Sequence, residues 1–272
     1  MHLPLRSFAV FGILLLATSA AHAQEGDIVA ERPGHFLVPS LLNPLTVQLE
    51  TGITVQRDES IFNGTRFNAT QVHYLSTALR VGLLKTVEVR VLGEYLSDRV
   101  VENGKEAQAR AREGINGLGI GAKIMIREED GALPEASFLF QLGLPVGNSD
   151  FAPPFSAPSF TLGLHNTLSD ALGLYYGLSG SWDGISAAGS GGYTVALTDA
   201  ITPRIGGFIE AYGSFIPHSP PSHAIDAGLG IIIAPQLQID LFGGKGITRN
   251  APDLYFSAGI CYRLPRWGGW PY

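Results

Sequence analysis

The sequence of 272 residues is 15% charged and 45% hydrophobic and carries a formal net charge of −6, so it lacks the basic surface that nucleic-acid binding requires. Its single cysteine, Cys261, excludes an intramolecular disulfide, and the fold must be stabilised without one. Beyond the N-terminal region, no apolar stretch approaches the roughly 18 residues of a transmembrane helix, which excludes a helical membrane protein.

The N-terminus has the three parts of a secretory signal peptide. A basic start precedes an apolar run from Phe8 to Ala17, and the small-x-small sequence Ala21-His22-Ala23 follows. We therefore expect residues 1–23 to be removed on export. Residues 24–43 show no periodicity and are interrupted by prolines, which predicts an extended lead-in.

Alternation of apolar and polar residues with a period of two defines the strands of the remaining chain. The pattern is clearest from Leu75 to Leu96, where Leu79 and Val81 flank Arg80 and the alternation resumes from Val87 after a tight turn. The same period predicts about twelve strands in all. They are Leu45–Gln56, Leu75–Gly82, Val87–Leu96, Gly117–Ile126, Ala136–Leu144, Phe160–Leu164, Leu172–Leu178, Tyr193–Leu197, Arg204–Tyr212, Ile225–Ile233, Leu237–Leu241 and Leu254–Arg263.

The connections between these strands alternate between short and long. Long loops are predicted at Arg57–Ala69, Ser97–Glu113, Pro145–Pro158 and Ser214–Ser222, and the connections between them are tight or, at Arg127–Pro134, somewhat longer. An outer-membrane barrel has short periplasmic turns and longer external loops, whereas a soluble sandwich has no reason for this alternation. The sequence therefore predicts an all-β, transmembrane up-and-down antiparallel β-barrel of outer-membrane type over residues 44–264, with an aromatic tail at 265–272.

Strand parity places the charged residues inside this barrel, because an Arg or Lys on the lipid face would cost about 2–4 kcal/mol near the membrane midplane. The predicted lumen-lining residues are Glu50, Arg80, Glu88, Arg90, Glu94, Lys123, Arg204, Glu210, Asp226, Asp240 and Arg263. These mixed charges are consistent with an electrostatic filter in an open bore or with a salt-bridged interior that closes the barrel. Interior glycines favour the open bore, namely Gly117, Gly119, Gly121, Gly228 and Gly230.

Several short pieces of the chain occur in an order that indicates a family. They include Glu31-Arg32-Pro33-Gly34, Val47-Gln48-Leu49-Glu50, Leu79-Arg80, Val87-Glu88-Val89-Arg90, Leu142-Gly143-Leu144-Pro145-Val146-Gly147, Phe208-Ile209-Glu210-Ala211-Tyr212-Gly213 and Gln238-Ile239-Asp240. In this order the chain resembles the outer-membrane proteins grouped under the meta pathway of phenol degradation. The resemblance implies a barrel that takes part in the uptake of hydrophobic or aromatic compounds.

Passage of small molecules across the outer membrane is therefore the expected function, with the permeant, outer-membrane lipids and the barrel assembly machinery as partners. One alternative is an outer-membrane lipid hydrolase that uses His73 or His223, which have outward parity. No serine shares their register, since Ser76 and Ser222 have the opposite parity, so no catalytic residue is predicted. The other alternative is a closed structural or surface-binding barrel. No cofactor or metal is expected. The spaced glycines at 117–121 are not a nucleotide-binding fingerprint, because no helix follows them.

Overall fold

The computed structural model describes residues 28–62, 64–102 and 105–264. Within these ranges the chain forms twelve strands, and each overlaps one predicted strand. The strands are β1 (Val47–Phe62), β2 (Thr65–Leu84), β3 (Val87–Glu102), β4 (Lys105–Arg127), β5 (Glu135–Leu144), β6 (Ala157–Thr167), β7 (Leu172–Trp182), β8 (Gly189–Thr202), β9 (Ile205–Phe215), β10 (Ser222–Ala234), β11 (Leu237–Gly246) and β12 (Leu254–Arg263). The predicted signal peptide and the aromatic tail lie outside the described residues.

The strands form one closed barrel in which each pairs antiparallel with its neighbours in the chain. β1 closes the ring by pairing with β12, so that Glu50 lies opposite Cys261. Closure pairs the backbone N–H and C=O groups of the first and last strands, which a sheet in hydrocarbon requires. The prediction of an all-β up-and-down barrel is confirmed.

The two faces of the barrel wall differ as the period of two requires. On β2, Leu79 is 38% exposed on the outside whereas Arg80 is fully buried on the inside. On β4, Ile120 and Ile124 are about half exposed, and Lys123 between them is fully buried. A barrel with an apolar outer surface and a charged interior is suited to an outer membrane. No helix among the described residues is long and apolar enough to cross a membrane.

The first four strands extend further than the sequence predicts. β1 and β2 remain paired as far as Phe62 and Thr65, and β3 and β4 as far as Glu102 and Lys105. The predicted loops Arg57–Ala69 and Ser97–Glu113 are therefore wrong, because these residues belong mainly to two long hairpins. Outside the hydrocarbon neither face of a sheet needs to be apolar, so the alternation that marks a strand is lost there although its backbone still pairs.

Residues 28–42 lie inside the barrel and contain no helix or strand. We call them the N-terminal segment. This segment contacts eleven of the twelve strands and shares a buried cluster with Ala196 of β8, which is possible only from within the bore. In strand order, the wall residues in contact with it include Glu50, Arg80, Arg90, Lys123, Glu135, Gly163, Tyr175, Phe208, Asp226, Asp240 and Ser257.

Candidate functional site

Glu31 is the main charged contact between the N-terminal segment and the wall. Its carboxylate accepts hydrogen bonds from Arg90, at 2.5 Å from Nη1 and 2.8 Å from Nη2. Lys123 Nζ donates to the same carboxylate at 2.8 Å, and Arg80 Nη2 lies 3.6 Å from it. Three cations from neighbouring strands thus converge on one carboxylate of the segment, and their side chains are at most 3% exposed.

Arg80 joins this cluster to two acidic residues of the wall. Its Nη1 donates to Glu50 Oε1 at 2.5 Å and to the backbone oxygen of Val29 at 2.9 Å. Its Nε and Nη2 each donate to the Glu88 carboxylate at 2.8 Å. Glu88 also accepts a hydrogen bond from Arg90 Nη2 at 2.7 Å. The buried charges are therefore paired, as a low-dielectric interior requires.

Arg32 reaches the opposite side of the wall. Its Nε and Nη2 donate to Asp240 at 3.2 and 3.1 Å, and Nη2 donates to Ser257 Oγ at 2.9 Å. A Cβ atom at Gly259 would overlap the guanidinium group, and one at Gly52 would lie 2.5 Å from Arg32 Nη2. Glycine at these two wall positions therefore provides the space that Arg32 occupies.

Other interior glycines also lie against the N-terminal segment. A Cβ atom at Gly163 would approach Leu37 Cδ2 to 2.9 Å, and one at Gly230 would lie 3.6 Å from Pro33 Cδ. The expectation of an open bore, which rested on interior glycines, is wrong where the segment lies. A missing side chain leaves space, and the sequence pattern does not show that another part of the same chain fills it.

Apolar contacts complete the anchoring of the segment. Phe36 is 8% exposed and packs its ring 4.9 Å from the ring of Tyr175 and 5.6 Å from that of Phe208, measured between centroids. It belongs to a buried cluster with Phe242 and Tyr255. Burial of aromatic side chains contributes stability by removing apolar area from water. The segment is thus held by both charged and apolar contacts.

Two acidic side chains without a cation between them lie beneath His35. Glu210 and Asp226 face each other across β9 and β10, at 3% and 6% exposure. The backbone N–H of His35 donates to Glu210 Oε2 at 2.8 Å, and Tyr255 Oη donates to Asp226 Oδ2 at 2.5 Å. Glu210 Oε1 and Asp226 Oδ1 are buried without a hydrogen-bond partner among the described residues. A proton on either carboxyl group would supply a donor and relieve their repulsion.

Replacing Asp226 with asparagine is expected to change the free energy of unfolding by no more than about 1 kcal/mol, because an amide supplies a donor and removes one of two facing charges. The matched variant is Asp240→Asn, which removes the charge from the hydrogen-bond partner of part-buried Arg32 and should cost about 1.5–3 kcal/mol. Urea-induced unfolding of both variants in lipid vesicles measures the difference. Equal losses in the two variants would contradict this account of the acidic pair.

A cavity of about 760 Å³ lies between the N-terminal segment and the loops at the long-loop end of the barrel, and we call it the vestibule. Its apolar lining includes Phe36, Leu139 and Phe151, and its polar lining includes Glu94 and Asn116. This volume is within the range of about 300–1,000 Å³ found for small-molecule sites. The vestibule can therefore hold a small molecule that combines an apolar body with a polar group.

The polar side of the vestibule centres on Glu94. Its carboxylate accepts hydrogen bonds from Ser76 Oγ at 2.6 Å and Asn116 Nδ2 at 2.7 Å, and His73 Nδ1 lies 2.9 Å from Oε1. The predicted outward orientation of His73 is therefore wrong. Leu75 has a φ of 50°, and the β2–β3 register shifts between Tyr74 and Thr77, so the residues before this bulge change face.

The other histidine considered for catalysis lies elsewhere. His223 Nδ1 is 3.1 Å from Tyr193 Oη, and its ring centroid is 5.5 Å from that of Phe215, which is 51% exposed on the outer face. His165 stacks on Tyr175 at 4.2 Å between centroids. The three histidines are thus in separate surroundings and do not form one site.

The structure brings most of the predicted lumen residues into the interior, although their lining of a conducting path stays a prediction. Nine of them are at most 6% exposed, and these are Glu50, Arg80, Glu88, Arg90, Lys123, Glu210, Asp226, Asp240 and Arg263. Glu94 is partly exposed to the vestibule. The prediction for Arg204 is wrong, because this residue is exposed in the two-residue turn between β8 and β9, where strand parity no longer applies.

The comparison with protein families identifies the chain. A family model described as "Putative MetA-pathway of phenol degradation" matches residues 26–264. The chain belongs to this family. The resemblance stated from the sequence is thereby confirmed, and the match extends over the N-terminal segment as well as the barrel. No curated protein matches the chain in sequence.

Solved structures with the same fold are outer-membrane barrels. A "COG4313 outer membrane channel from Pseudomonas putida F1" has a TM-score of 0.64 at 12% identity, covering 86% of this chain and 99% of that one. The translocator domain of the autotransporter NalP from Neisseria meningitidis has a TM-score of 0.55 at 10% identity, covering 82% and 90%. The transport unit of the Escherichia coli autotransporter AIDA-I has a TM-score of 0.52 at 9% identity, covering 81% and 89%. At these identities the likeness shows the fold.

Sequence reasoning missed the contribution of the N-terminal segment in this family member. Glu31 and Arg32 supply charges that pair with the wall, and a sequence signal for this role exists in their position. These two charges precede Pro33 in a segment without periodicity, ahead of a barrel whose interior carries many charges. Opposite charges that are far apart in the chain were brought together only by folding.

Proposed function

We propose that this member of the family passes small hydrophobic or aromatic molecules across the outer membrane, with the vestibule as the site that receives them. The observation that carries the proposal is the vestibule itself, which is of small-molecule size and combines an apolar lining with the polar groups around Glu94. The family description refers to phenol degradation, and a phenol has an apolar ring and one polar group. We expect outer-membrane lipids and the barrel assembly machinery as further partners.

Solute flux into liposomes tests this proposal. The refolded protein should speed the entry of a neutral monoaromatic compound more than that of a sugar of similar size. Thr161→Trp, which places an indole in the vestibule, should reduce aromatic flux to a small fraction of the parent value. The matched control is Leu178→Trp on the lipid-facing side of β7, where the side chain is 64% exposed, and it should leave flux unchanged. Equal flux in all three proteins would contradict a path through the vestibule.

A closed structural or surface-binding barrel remains the second candidate, because the N-terminal segment occupies the bore and is tied to its wall by ion pairs. This candidate predicts no flux of any small solute through the refolded protein. The two candidates are therefore separated by the same liposome measurement.

A lipid hydrolase receives less support from the site. His73 and Ser76 both contact Glu94, and His223 contacts Tyr193. A serine hydrolase needs its histidine hydrogen-bonded to the serine hydroxyl, and no such bond occurs at His73 or His223 within the described residues. We propose that the barrel is not an enzyme and expect the purified protein to release no fatty acid from phospholipid or acylated lipid.

A further inference from the structure

A second cavity, of about 500 Å³, lies outside the vestibule on the rim of the barrel, and we call it the rim groove. It is bordered by the loop between β5 and β6 and by the loop between β7 and β8. Its lining includes Phe155, Pro158, Trp182, Ile185 and Ala187, and no charged side chain among the described residues contributes to it. The lining therefore suits a neutral, apolar ligand.

The two loops are fixed to each other, so the rim groove is already formed. The backbone N–H of Phe155 donates to the carbonyl oxygen of Gly184 at 3.0 Å. Gly184 has a φ of 69°, and a Cβ atom there would overlap the carbonyl oxygen of Phe155, so only glycine permits this approach. A preformed groove binds its ligand without the entropic cost of ordering loops.

Ile185 is also held in place. The Asp183 carboxylate accepts hydrogen bonds from the backbone N–H groups of Ile185 and Ser186, both at 2.8 Å. The hydrogen bonds from Ser186 and Ile185 lower the pKa of the Asp183 carboxyl group, so it stays ionised near neutral pH. The side chain of Ile185 therefore extends from a turn of defined geometry.

The rim groove lies between the lipid-facing surface of the barrel and the vestibule. Trp182 is the last of three outer-face rings that succeed one another on β5, β6 and β7, with centroid distances of 6.1 Å from Phe138 to Phe160 and 6.3 Å from Phe160 to Trp182. These rings are 37–42% exposed. On the other side, Ile185 lines both the rim groove and the vestibule.

We propose that the rim groove is a binding site that captures small, neutral aromatic molecules before they pass Ile185 into the vestibule. This inference rests on the proposed function and adds the site of first binding. Aromatic side chains offer ring faces and edges for stacking, and the lining, as far as the structure describes it, has no charge that an ionic ligand would require. An acyl chain of the surrounding lipid is the competing occupant, and the test below separates it.

Fluorescence of Trp182 tests the proposal directly. The protein contains two other tryptophans, so the full chain carrying Trp267→Phe and Trp270→Phe reports on Trp182 alone. Bromobenzene, whose bromine quenches indole fluorescence, should quench Trp182 along a saturable binding curve in the refolded barrel. Ala187→Leu, which fills the groove, should raise the half-saturating concentration about tenfold, as expected from the loss of one ring-sized apolar contact. The matched control, Leu178→Ala on the outer face of the same strand as Trp182, should leave the curve unchanged.

Failure of the binding-site proposal and failure of the proposed function give different experimental results. Quenching that rises linearly and equally in parent and Ala187→Leu would overturn the site, since it would report only partitioning into lipid. Quenching by bromine-labelled acyl chains that bromobenzene fails to compete with would overturn it in favour of a lipid chain. Aromatic flux into liposomes is measured on the same proteins. Flux without a saturable site refutes the capture step alone, whereas absence of flux in the parent refutes the proposed function.

Discussion

Replacing Arg80 with alanine is expected to lower the free energy of unfolding of the barrel by about 3–5 kcal/mol, because removing one partner leaves buried charges uncompensated. Arg80 is fully buried and donates to Glu50 and Glu88, and it also lies near Glu31. Without its guanidinium group, three carboxylates face one another with less positive charge between them. Urea-induced unfolding in lipid vesicles, followed by the electrophoretic mobility of the folded barrel, measures the loss.

The matched control for this variant is Arg57→Ala, which removes an exposed arginine from β1. A surface substitution of this kind should change stability by no more than about 0.5 kcal/mol. If Arg80→Ala and Arg57→Ala had equally small effects, water would reach the cluster around Arg80. In that case the interior charges would line a water-filled pore, which is what an electrostatic selectivity filter requires.

Deleting Ile28–Leu42 is expected to convert a barrel with at most brief, small openings into one with a steady open conductance in planar bilayers. The segment contacts eleven of the twelve strands from inside, so its removal empties the bore at that level. The wall should remain folded, because its strands stay paired and Arg80 and Arg90 keep their bonds to Glu88. The diameter of a twelve-stranded barrel lies between that of eight-stranded barrels, whose interior is filled by side chains, and that of sixteen-stranded barrels, which hold an aqueous channel. Side chains of the wall alone are therefore not expected to fill it.

A graded variant and a control accompany the deletion. Glu31→Gln removes the charge that Arg90 and Lys123 share and should raise conductance to an intermediate level. Glu128→Gln changes an exposed residue in the turn after β4 and should have no effect. Unchanged conductance in the deletion variant, with folded mobility retained, would mean that ions do not cross the space that the segment occupies.

Much of the fold could be predicted because a barrel wall is repetitive. Each strand must alternate apolar and polar residues, because one of its faces contacts lipid and the other faces the interior. The neighbouring residues Leu79 and Arg80 therefore already assign both faces. Nine of the eleven predicted lumen residues are buried as a result. Errors occurred where the period is broken, at the bulge at Leu75 that turns His73 inward and at the turn that carries Arg204.

The candidate site could be predicted only in part. Glu94 was assigned to the interior, but its partners Ser76, Asn116 and His73 depend on the register between strands and on the bulge. The rim groove depends on two loops that come together through Phe155 and Gly184, and nothing in the local sequence indicates that pairing. Contacts between distant loops are set by the closure of the barrel and not by local propensity.

The amino-acid sequence by itself determined the all-β class, the number of strands, the direction of most side chains and the family. It could do so because these follow from a local period of two and from the high cost of a charge exposed to lipid. Only the tertiary structure decided what fills the barrel. The N-terminal segment has no period of its own, and its position depends on pairs such as Glu31 with Lys123 and Arg32 with Asp240, which are separated in the chain by 92 and 208 residues. Such pairs exist because the closed wall brings its charges within reach of the segment.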